Sequence, residues 1–404
     1  MRKTILLCLL MLAICSLNAQ FVVQNSGTQA SLADVRFYDP MLGIIVGDTG
    51  TILRTIDGGD NWATVAYSGE SQLSKLRFFD AQNAIAIGNN PAVVLHSQDA
   101  GQNWIAITDS SSNYYDLVIL NDSTALISTS EALLRTQDRG QNWTVHYTGP
   151  ALNLLGMMSF IDEQRGFSIR KWSGFGPAFS IQKTVDGGSS WSEITMLTGQ
   201  NPTVLEALVF LNDSVGFAGG WYNAHLVKTT NTGADWTFGT TDDIQNGGQV
   251  LDMTMINDTL GFAACWHGTL LKTVDGGLSW YTLIQPFASP VNFNGVYFLD
   301  DQLGWIVGSE GNILKTSSAG GSVSLEDKIN AISFSIHPNP SQGIFELEID
   351  PAVLVRSLAI YDLQGRLVER FASLPERLEI KEAGIYLVKV ETDKGFATQK
   401  LWVQ

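Results

Sequence analysis

Carboxylates recur along this chain at a regular spacing, and carboxylates can serve acid–base catalysis or calcium binding. The pattern Thr/Ser-x-Asp-x-Gly-x-x-Trp returns along the sequence, with central residues Asp57, Asp99, Asp138, Asp186, Asn231 and Asp275. A residue that returns in every repeat indicates scaffold, because an active site needs its catalytic pair only once. We therefore interpret these residues as structural, each accepting hydrogen bonds inside its own turn. No catalytic residue and no metal site is predicted, since no run has the ligand density of an EF-hand loop.

A different group of residues interrupts the repeats and is the better candidate for ligand binding. They fall in the second turn of the fourth to sixth units, on the face opposite the Asp turns, and are Trp172, Trp221, Tyr222, His225, Trp266 and His267. Tyr114, Tyr115, Phe287 and Phe293, in connectors between units, are expected on the same face. Exposed aromatic rings on one side of a rigid ring suit recognition of a sugar or a peptide. The alternative is that these side chains pack between units or cover the channel.

Histidine and cysteine offer no further chemistry. The histidines show no metal-ligand spacing. Cys8 and Cys15 lie in a predicted leader, so the mature chain keeps Cys265 alone and can form no internal disulfide. Cys265 aligns with Gly47 and Gly220 at the end of a strand, which predicts a packed small residue. The sequence therefore predicts no cofactor.

Short strands must position these residues. Successive tryptophans of the pattern lie 39 to 48 residues apart, and a degenerate seventh copy ends at Val323. A period in this range indicates propeller blades, each too small to bury its own face. Each period is interpreted as four strands, of which the third runs into the Asp turn. The seventh unit lacks its tryptophan, and residues 21–26 have the pattern of an outer strand. We therefore predict that residues 21–26 complete the seventh unit and close the ring.

The pattern resembles the Asp-box, or BNR, repeat of β-propellers, which occurs in sialidases, sortilin-type receptors and xyloglucanases. The layout over residues 31–323 most resembles the photosystem II assembly-factor family. That resemblance implies an all-β chain in which residues 20–323 form a seven-bladed β-propeller that acts as a non-enzymatic scaffold. An extracellular glycoside hydrolase is the alternative, although the arginines are scattered where a sialidase would cluster them.

The C-terminal residues follow another pattern. Residues 324–332 are predicted to form a linker, and residues 333–404 contain short apolar strands separated by Gly and Pro turns. Pro338-Asn339-Pro340, Gly343 and Gly384-Ile385-Tyr386 occur in an order that resembles the type A C-terminal sorting domain of the type IX secretion system. The resemblance implies a small Ig-like β-sandwich that the type IX secretion machinery reads at the outer membrane and usually removes.

The N-terminus and the net charge indicate export. Arg2 and Lys3 precede an apolar run and Leu17-Asn18-Ala19, which is typical of a signal peptide over residues 1–19. No later apolar run approaches the ~20 residues of a membrane span. An excess of 40 acidic over 24 basic residues argues against nucleic acid as a partner. We therefore expect an exported, monomeric binding protein, secreted or at the outer-membrane surface, whose ligand is an extracellular glycan or protein.

Overall fold

The computed structural model describes residues 21–108, 113–149, 153–172, 179–197, 205–220, 226–241, 248–283, 291–319, 334–349, 354–362, 367–371, 373–375, 377–392 and 395–404. The chain divides into two compact units, Met1–Gly321 and Ser322–Gln404. The predicted signal peptide and linker lie outside the described residues. Within the described ranges, no helix is long and apolar enough to cross a membrane.

The secondary structure of the described residues is almost entirely β-strand. Strands β1 to β9 are Val22–Gln24, Leu32–Phe37, Gly43–Gly47, Ile52–Thr55, Ala63–Thr64, Gln72–Phe78, Ala84–Asn89, Val93–Ser97 and Ile105–Thr108. Strands β10 to β17 are Tyr114–Ile119, Ala125–Thr129, Leu133–Thr136, Thr144–Tyr147, Asn153–Phe160, Gly166–Trp172, Phe179–Thr184 and Ser192–Leu197. Strands β18 to β29 are Leu205–Phe210, Gly216–Gly220, Leu226–Thr229, Thr237–Phe238, Thr240–Thr241, Val250–Met255, Gly261–Cys265, Leu270–Thr273, Ser279–Thr282, Phe293–Phe298, Leu303–Gly308 and Ile313–Ser317. Short 3-10 helices follow three of the second strands, at Asp48–Gly50, Trp266–Gly268 and Ser309–Gly311.

The strands of the first unit form successive antiparallel sheets. Strands β2–β5, β6–β9, β10–β13, β14–β17 and β18–β21 each make a four-stranded sheet in chain order. Strands β23–β26 make the next, and β22 joins its outer edge in parallel. Strands β27–β29 make the last, and the first strands of all these sheets contact one another in a closed cycle. The inner ends of the sheets therefore surround a common axis.

The N-terminal strand closes this cycle. Strand β1 pairs antiparallel with β29, with Val22 opposite Lys315 and Gln24 opposite Ile313. It supplies the fourth strand of the last sheet, so the prediction for residues 21–26 is confirmed. Phe21 lies just before β1 and is only 3% exposed.

The core lies between neighbouring sheets. Second strands such as β3 and β24 are continuous apolar runs, and all five residues of each are buried because both faces of their sheet are covered. Between the last and first sheets, Trp305 stacks on Phe37 with ring centroids 3.5 Å apart. Burial between sheets therefore supplies the stability that a single small sheet cannot.

A basic residue precedes the Thr or Ser of each Asp turn, and several of these residues tie neighbouring sheets together at their periphery. These residues are Arg54, His96, Arg135, Lys183, Lys228, Lys272 and Lys315. The side chains of Arg54 and Lys272 each donate at 2.7 Å to a backbone carbonyl in the Asp turn of the following sheet. Lys315 completes the circle by pairing with Asp60 of the first Asp turn at 2.8 Å.

The second unit contains two sheets with one core. Strands β30 to β36 are Phe334–His337, Ile344–Ile349, Val355–Asp362, Leu367–Phe371, Leu378–Glu379, Gly384–Thr392 and Gly395–Val403. They pair in the orders β30-β31-β34 and β33-β32-β35-β36. Phe345 of the first sheet and Leu358, Val388 and Leu401 of the second are fully buried in a shared cluster.

The Pro-Asn-Pro segment covers the outer edge of the last strand. Asn339 Nδ2 donates to the carbonyl of Lys400 at 2.7 Å, and Asn339 Oδ1 accepts the N–H of Trp402 at 3.0 Å. Ser341 continues with backbone bonds to Trp402 and Gln404. The side-chain amide thus takes the place of a strand's backbone, because proline has no N–H to donate.

Candidate ligand-binding site

The Asp turns share one hydrogen-bond arrangement. In the first, Thr55 Oγ1 donates to Asp57 Oδ1 at 2.7 Å and accepts the N–H of Gly59 at 2.9 Å. Asp57 accepts the backbone N–H of Asn61 at 3.0 Å and its side-chain amide at 2.9 Å. Gly59 has a φ of +90°, which glycine adopts without strain. Hydroxyl contacts like that of Thr55 recur at Asp99, Asp138, Asp186, Asn231 and Asp275. These side chains therefore hold their own turns.

The fifth Asp turn exchanges the amide and the carboxylate. Asn231 Oδ1 accepts the hydroxyl of Thr229 at 3.0 Å and the N–H of Asp235 at 2.9 Å. Asn231 Nδ2 donates to the Asp235 carboxylate at 2.9 Å, which reverses the donor and acceptor of the Asn61–Asp57 pair. The carboxylate can therefore stand at either of the two positions, provided that the other position supplies a donor, as the hydroxyl of Ser190 does for Asp186.

The pKa of Asp57 makes this turn sensitive to acid. Hydrogen bonds from Asn61 lower it from 3.8 to about 2. Because folding lowers the pKa, the ionised turn stabilises the folded protein above pH 3.8, and this stabilisation is lost as the pH falls toward 2. We expect Asp57→Asn to reduce the free energy of unfolding at pH 7 by about 1 kcal/mol, the turn being exposed. In urea unfolding the difference should shrink as the pH approaches 3, following the carboxylate titration.

A compensating variant provides the control. Asp57→Asn/Asn61→Asp recreates the arrangement of Asn231 and Asp235, and its stability should return to that of the wild type. If the double variant stays as unstable as Asp57→Asn, the two orders are not equivalent and the account of the turn is wrong.

The turn between the first and second strands of each sheet also has a side-chain acceptor. An aspartate recurs there in every repeat, which predicts that it holds the turn: Asp39, Asp80, Asp122, Asp162, Asp213, Asp258 and Asp300. This prediction is correct in four of the turns and wrong in three. Asp39 accepts the N–H groups of Met41 and Leu42 at 2.8 and 2.7 Å, and similar pairs bind Asp80, Asp162 and Asp300. In the other three sheets the acceptor is the preceding asparagine, at Asn121, Asn212 and Asn257. The amide oxygen accepts as the carboxylate does, which releases Asp213 to pair with Arg165 and Lys183.

The structure describes only part of the predicted aromatic face. Trp266 is 37% exposed in the 3-10 helix after β24, beside His267, whose N–H donates to Asn292 Oδ1 at 3.1 Å. Residues Trp221, Tyr222 and His225 lie outside the described residues. The backbone of Trp172 belongs to strand β15, opposite Asn153, and therefore not to a turn insertion as expected.

Other aromatics expected on that face are in the core. Tyr114 is 2% exposed in β10, and Phe293 is fully buried in β27. Both begin the first strand of a sheet rather than lying in a connector, so they pack between sheets. Phe287 lies outside the described residues. Cys265 is fully buried at the end of β24, as the alignment with Gly47 predicted, and burial raises the pKa of its thiol.

A charged cluster that the sequence reasoning did not identify lies on the common axis. Asp34 of β2 is 1% exposed, with Arg36 at 3.1 Å and Arg77 of β6 at 2.8 Å from its carboxylate oxygens. The backbone N–H of Leu76 also donates to Asp34, at 2.9 Å. Burial alone would raise the pKa of Asp34, but the two guanidinium groups hold it below its ordinary value. The cluster therefore remains ionised at neutral pH.

Two further carboxylates repeat this backbone contact. Asp116 accepts the N–H of Met158 at 2.7 Å, and Asp252 accepts the N–H of Val296 at 3.0 Å. Each carboxylate lies at a bulge in the first strand of its sheet and bonds to the first strand of the next. Asp116 and Asp252 therefore join the first strands of neighbouring sheets around the axis. An arginine beside the carboxylate is not part of this repeated contact.

A cavity of about 490 Å³ opens above this cluster, on the side of the first turns and the Asp turns. Arg36 and Arg77 lie in its wall, and Tyr38, Phe78 and Tyr297 give it aromatic surface. Tyr38 is 45% exposed, and Arg36 lies 5.3 Å from the centre of the Tyr297 ring. We call this cavity the channel mouth. A second cavity of about 270 Å³ continues along the axis past Lys75 and Asp116.

The sequence did contain a signal for the channel mouth. The residue equivalent to Arg36 changes around the ring, through Arg77, Val118, Ser159, Val209, Thr254 and Tyr297. Scaffold positions recur in a repeat protein, whereas a variable position that faces a cavity is a candidate for binding. Among the described residues, no group of three or more His, Cys, Asp or Glu side chains could hold a metal ion.

Comparison with known proteins decides the family of the first unit. The family described as photosynthesis system II assembly factor YCF48 matches residues 16–166 and 238–317, more than half of the chain. The chain belongs to this family. The resemblance predicted from the repeat layout is thereby confirmed, and the sheets of the first unit form a β-propeller. Residues 335–404 match the secretion system C-terminal sorting domain, which confirms the prediction for the tail and indicates export.

Individual relatives agree with the YCF48 assignment. The photosystem II assembly lipoprotein Ycf48 of Synechococcus sp. (strain CC9902) is 28% identical over 308 residues, covering 71% of this chain and 85% of that protein. A structure described as YCF48 bound to D1 peptide has a TM-score of 0.60 at 21% identity, covering 74% of this chain and 97% of that chain. The GH74 xyloglucanase of Xanthomonas campestris has a TM-score of 0.59 at 13% identity, covering 93% of this chain and 60% of that one, and is similar in fold alone.

Proposed function

We propose that this YCF48-family chain is an exported, non-enzymatic binding protein, built as a seven-bladed β-propeller with a C-terminal Ig-like sandwich. Each sheet of the first unit is one blade, and β1 completes the last. The signal peptide over residues 1–19 starts export, and the type IX secretion machinery completes it by reading residues 333–404. The mature propeller then meets its ligand at the cell surface or outside the cell.

The channel mouth is the proposed binding site, and an extended protein segment is the proposed ligand. Its volume of about 490 Å³ lies within the range of sites that enclose a small ligand or a few side chains. Arg36 and Arg77 offer donors to peptide carbonyl and carboxylate groups, while Tyr38 and Phe78 offer flat apolar surface. A family member whose structure holds a peptide supports this choice of ligand.

The hydrogen bonds and the pKa values of the carboxylates support a non-enzymatic role. A glycoside hydrolase needs two carboxyl groups, of which one acts as an acid with a raised pKa. In the described structure, Asp57 and its equivalents hold turns, and Asp34, Asp116 and Asp252 hold neighbouring strands. The pKa of Asp34 and Asp57 is lowered, which is opposite to the requirement for an acid.

Binding by the purified mature chain tests the proposal, on arrays of surface peptides and of glycans. We expect peptide binding that Tyr38→Ser/Phe78→Ser weakens by about tenfold or more, since aromatic anchors dominate such contacts. Phe238→Ser is the matched control, because Phe238 is 69% exposed on an outer strand. Loss of binding in Trp266→Ser alone would move the site to the opposite face, and glycan hydrolysis would favour the hydrolase.

A further inference from the structure

The sorting unit exposes apolar side chains on the outward face of its second sheet. Tyr386, Val388 and Leu401 point into the core. Because side chains alternate along a strand, Ile385, Leu387 and Trp402 point the opposite way. Leu387 is 44% and Trp402 51% exposed. A sheet face in water normally carries polar residues, so these positions call for a physical explanation.

Strand register shows that these side chains are neighbours. Ile385 lies opposite Trp402 in the β35–β36 pair, and Leu387 lies opposite Tyr361 in the β32–β35 pair. Side chains at directly opposite positions share a face and lie close together. Tyr361, Ile385, Leu387 and Trp402 therefore form one continuous surface, called here the sorting patch.

Positive charge borders the sorting patch. Lys400 lies opposite Leu387, and Arg370 lies opposite Ala359, two residues before Tyr361 on the same face. Lys400 and Arg370 are both exposed. Lys389, two residues after Leu387 on β35, lies on this face as well. Basic residues therefore border the sorting patch in a chain with a net charge of −16, which favours a partner whose groove is apolar with an acidic border.

The edge of the terminal strand is less accessible than its face. Asn339 occupies the outward backbone groups of Lys400 and Trp402, and Ser341 occupies those of Trp402 and Gln404. A partner that added a strand to this end of β36 would first have to displace both residues. Recognition through side chains on the outward face requires no such displacement.

We propose that the sorting patch is the surface by which a protein of the type IX secretion machinery binds this chain. The proposal rests on the export function proposed above. Trp402 and Leu387 enter an apolar groove of the partner, and Lys400 and Arg370 pair with carboxylates at its border. Asn339 fixes the terminal strand so that Trp402 is presented in one position.

Export of the full-length chain in a bacterium with type IX secretion tests the proposal, with the surface fraction measured by protease accessibility on intact cells. We expect Trp402→Ser, Leu387→Ser and Arg370→Glu/Lys400→Glu each to lower that fraction by about tenfold, as for hot-spot residues. Ile344→Ser is the matched control, because Ile344 is 40% exposed on the other sheet, and its export should equal that of the wild type. Thermal unfolding of each purified variant shows whether the fold is kept, and the charge-reversal variant leaves the core untouched.

The outcomes separate this proposal from the export assignment. Deletion of residues 333–404 should abolish surface delivery. If the deletion blocks delivery but folded Trp402→Ser and Leu387→Ser variants arrive normally, the patch is not the recognition surface. If the deleted chain also arrives normally, the export assignment itself fails. If sedimentation shows a wild-type dimer that both substitutions dissociate, the patch binds a second copy and the proposal is overturned.

Discussion

Replacing Asp34 with alanine is expected to lower the free energy of unfolding of the mature chain by about 3 to 5 kcal/mol. The substitution leaves Arg36 and Arg77, which are largely buried, without their shared carboxylate, and leaves the N–H of Leu76 without its acceptor. Removing one member of a buried ion cluster costs far more than the cluster contributes as a whole, because the remaining charges stay desolvated. Urea unfolding at pH 7 measures the change.

Asparagine variants isolate the charge. Asp34→Asn keeps an oxygen for the N–H of Leu76 but cannot balance the two arginines. Asp252→Asn is the control, since Asp252 has the same bulge position and an equivalent backbone contact, to Val296 at 3.0 Å. We expect Asp34→Asn to be clearly the less stable of the two. Equal stability would mean that the ion pairs of Asp34 with Arg36 and Arg77 contribute nothing to the free energy of unfolding.

The pH dependence of Asp34 has a defined sign. Its pKa is lowered on folding, so its contribution is fully present above the ordinary value of 3.8 and disappears as the pH falls through the folded value. The stability gap between wild type and Asp34→Asn should therefore be constant around neutral pH and close only in strong acid.

Replacing Phe21 with aspartate is expected to destabilise the propeller by about 3 to 5 kcal/mol, since it removes a buried ring and introduces a buried charge. Phe21 is 3% exposed and anchors β1 beside β29. Loss of that anchor detaches the fourth strand of the last sheet. Thermal unfolding and hydrogen exchange at the amides of β29 report the effect.

The adjacent residue provides the control. Val22 lies in the same strand but is 53% exposed, so Val22→Asp should change stability little. A Phe21→Asp protein that unfolds at the temperature of Val22→Asp would show that β1 does not hold the ring.

The fold was predictable because the repeat encodes it. Regular spacing of the tryptophans fixes the sheet size, and the missing seventh tryptophan identifies the partner of residues 21–26. The turn acceptors were less predictable, since Asn121 and Asp122 are adjacent and both can accept a hydrogen bond. The backbone geometry of the turn selects Asn121, and that geometry cannot be read from the sequence.

The channel cluster was not predicted, because its members are far apart in sequence. Asp34 and Arg77 meet only when two sheets pack around an axis. Read alone, an arginine within a strand is indistinguishable from one on a solvated face. Tyr114 and Phe293 were predicted to be exposed but are buried. An aromatic residue before an apolar run fits a connector as well as the start of a strand.

Pairing of β1 with β29 has a consequence for the order of synthesis. Val22 leaves the ribosome among the first residues of the propeller, but its partner Lys315 follows almost three hundred residues later. The final sheet cannot assemble until β29 has been made, and contacts between such distant residues form slowly. The ring of sheets therefore cannot close until nearly all of the propeller segment has been made. Pairing between the two ends of the propeller segment is therefore the last step in its assembly.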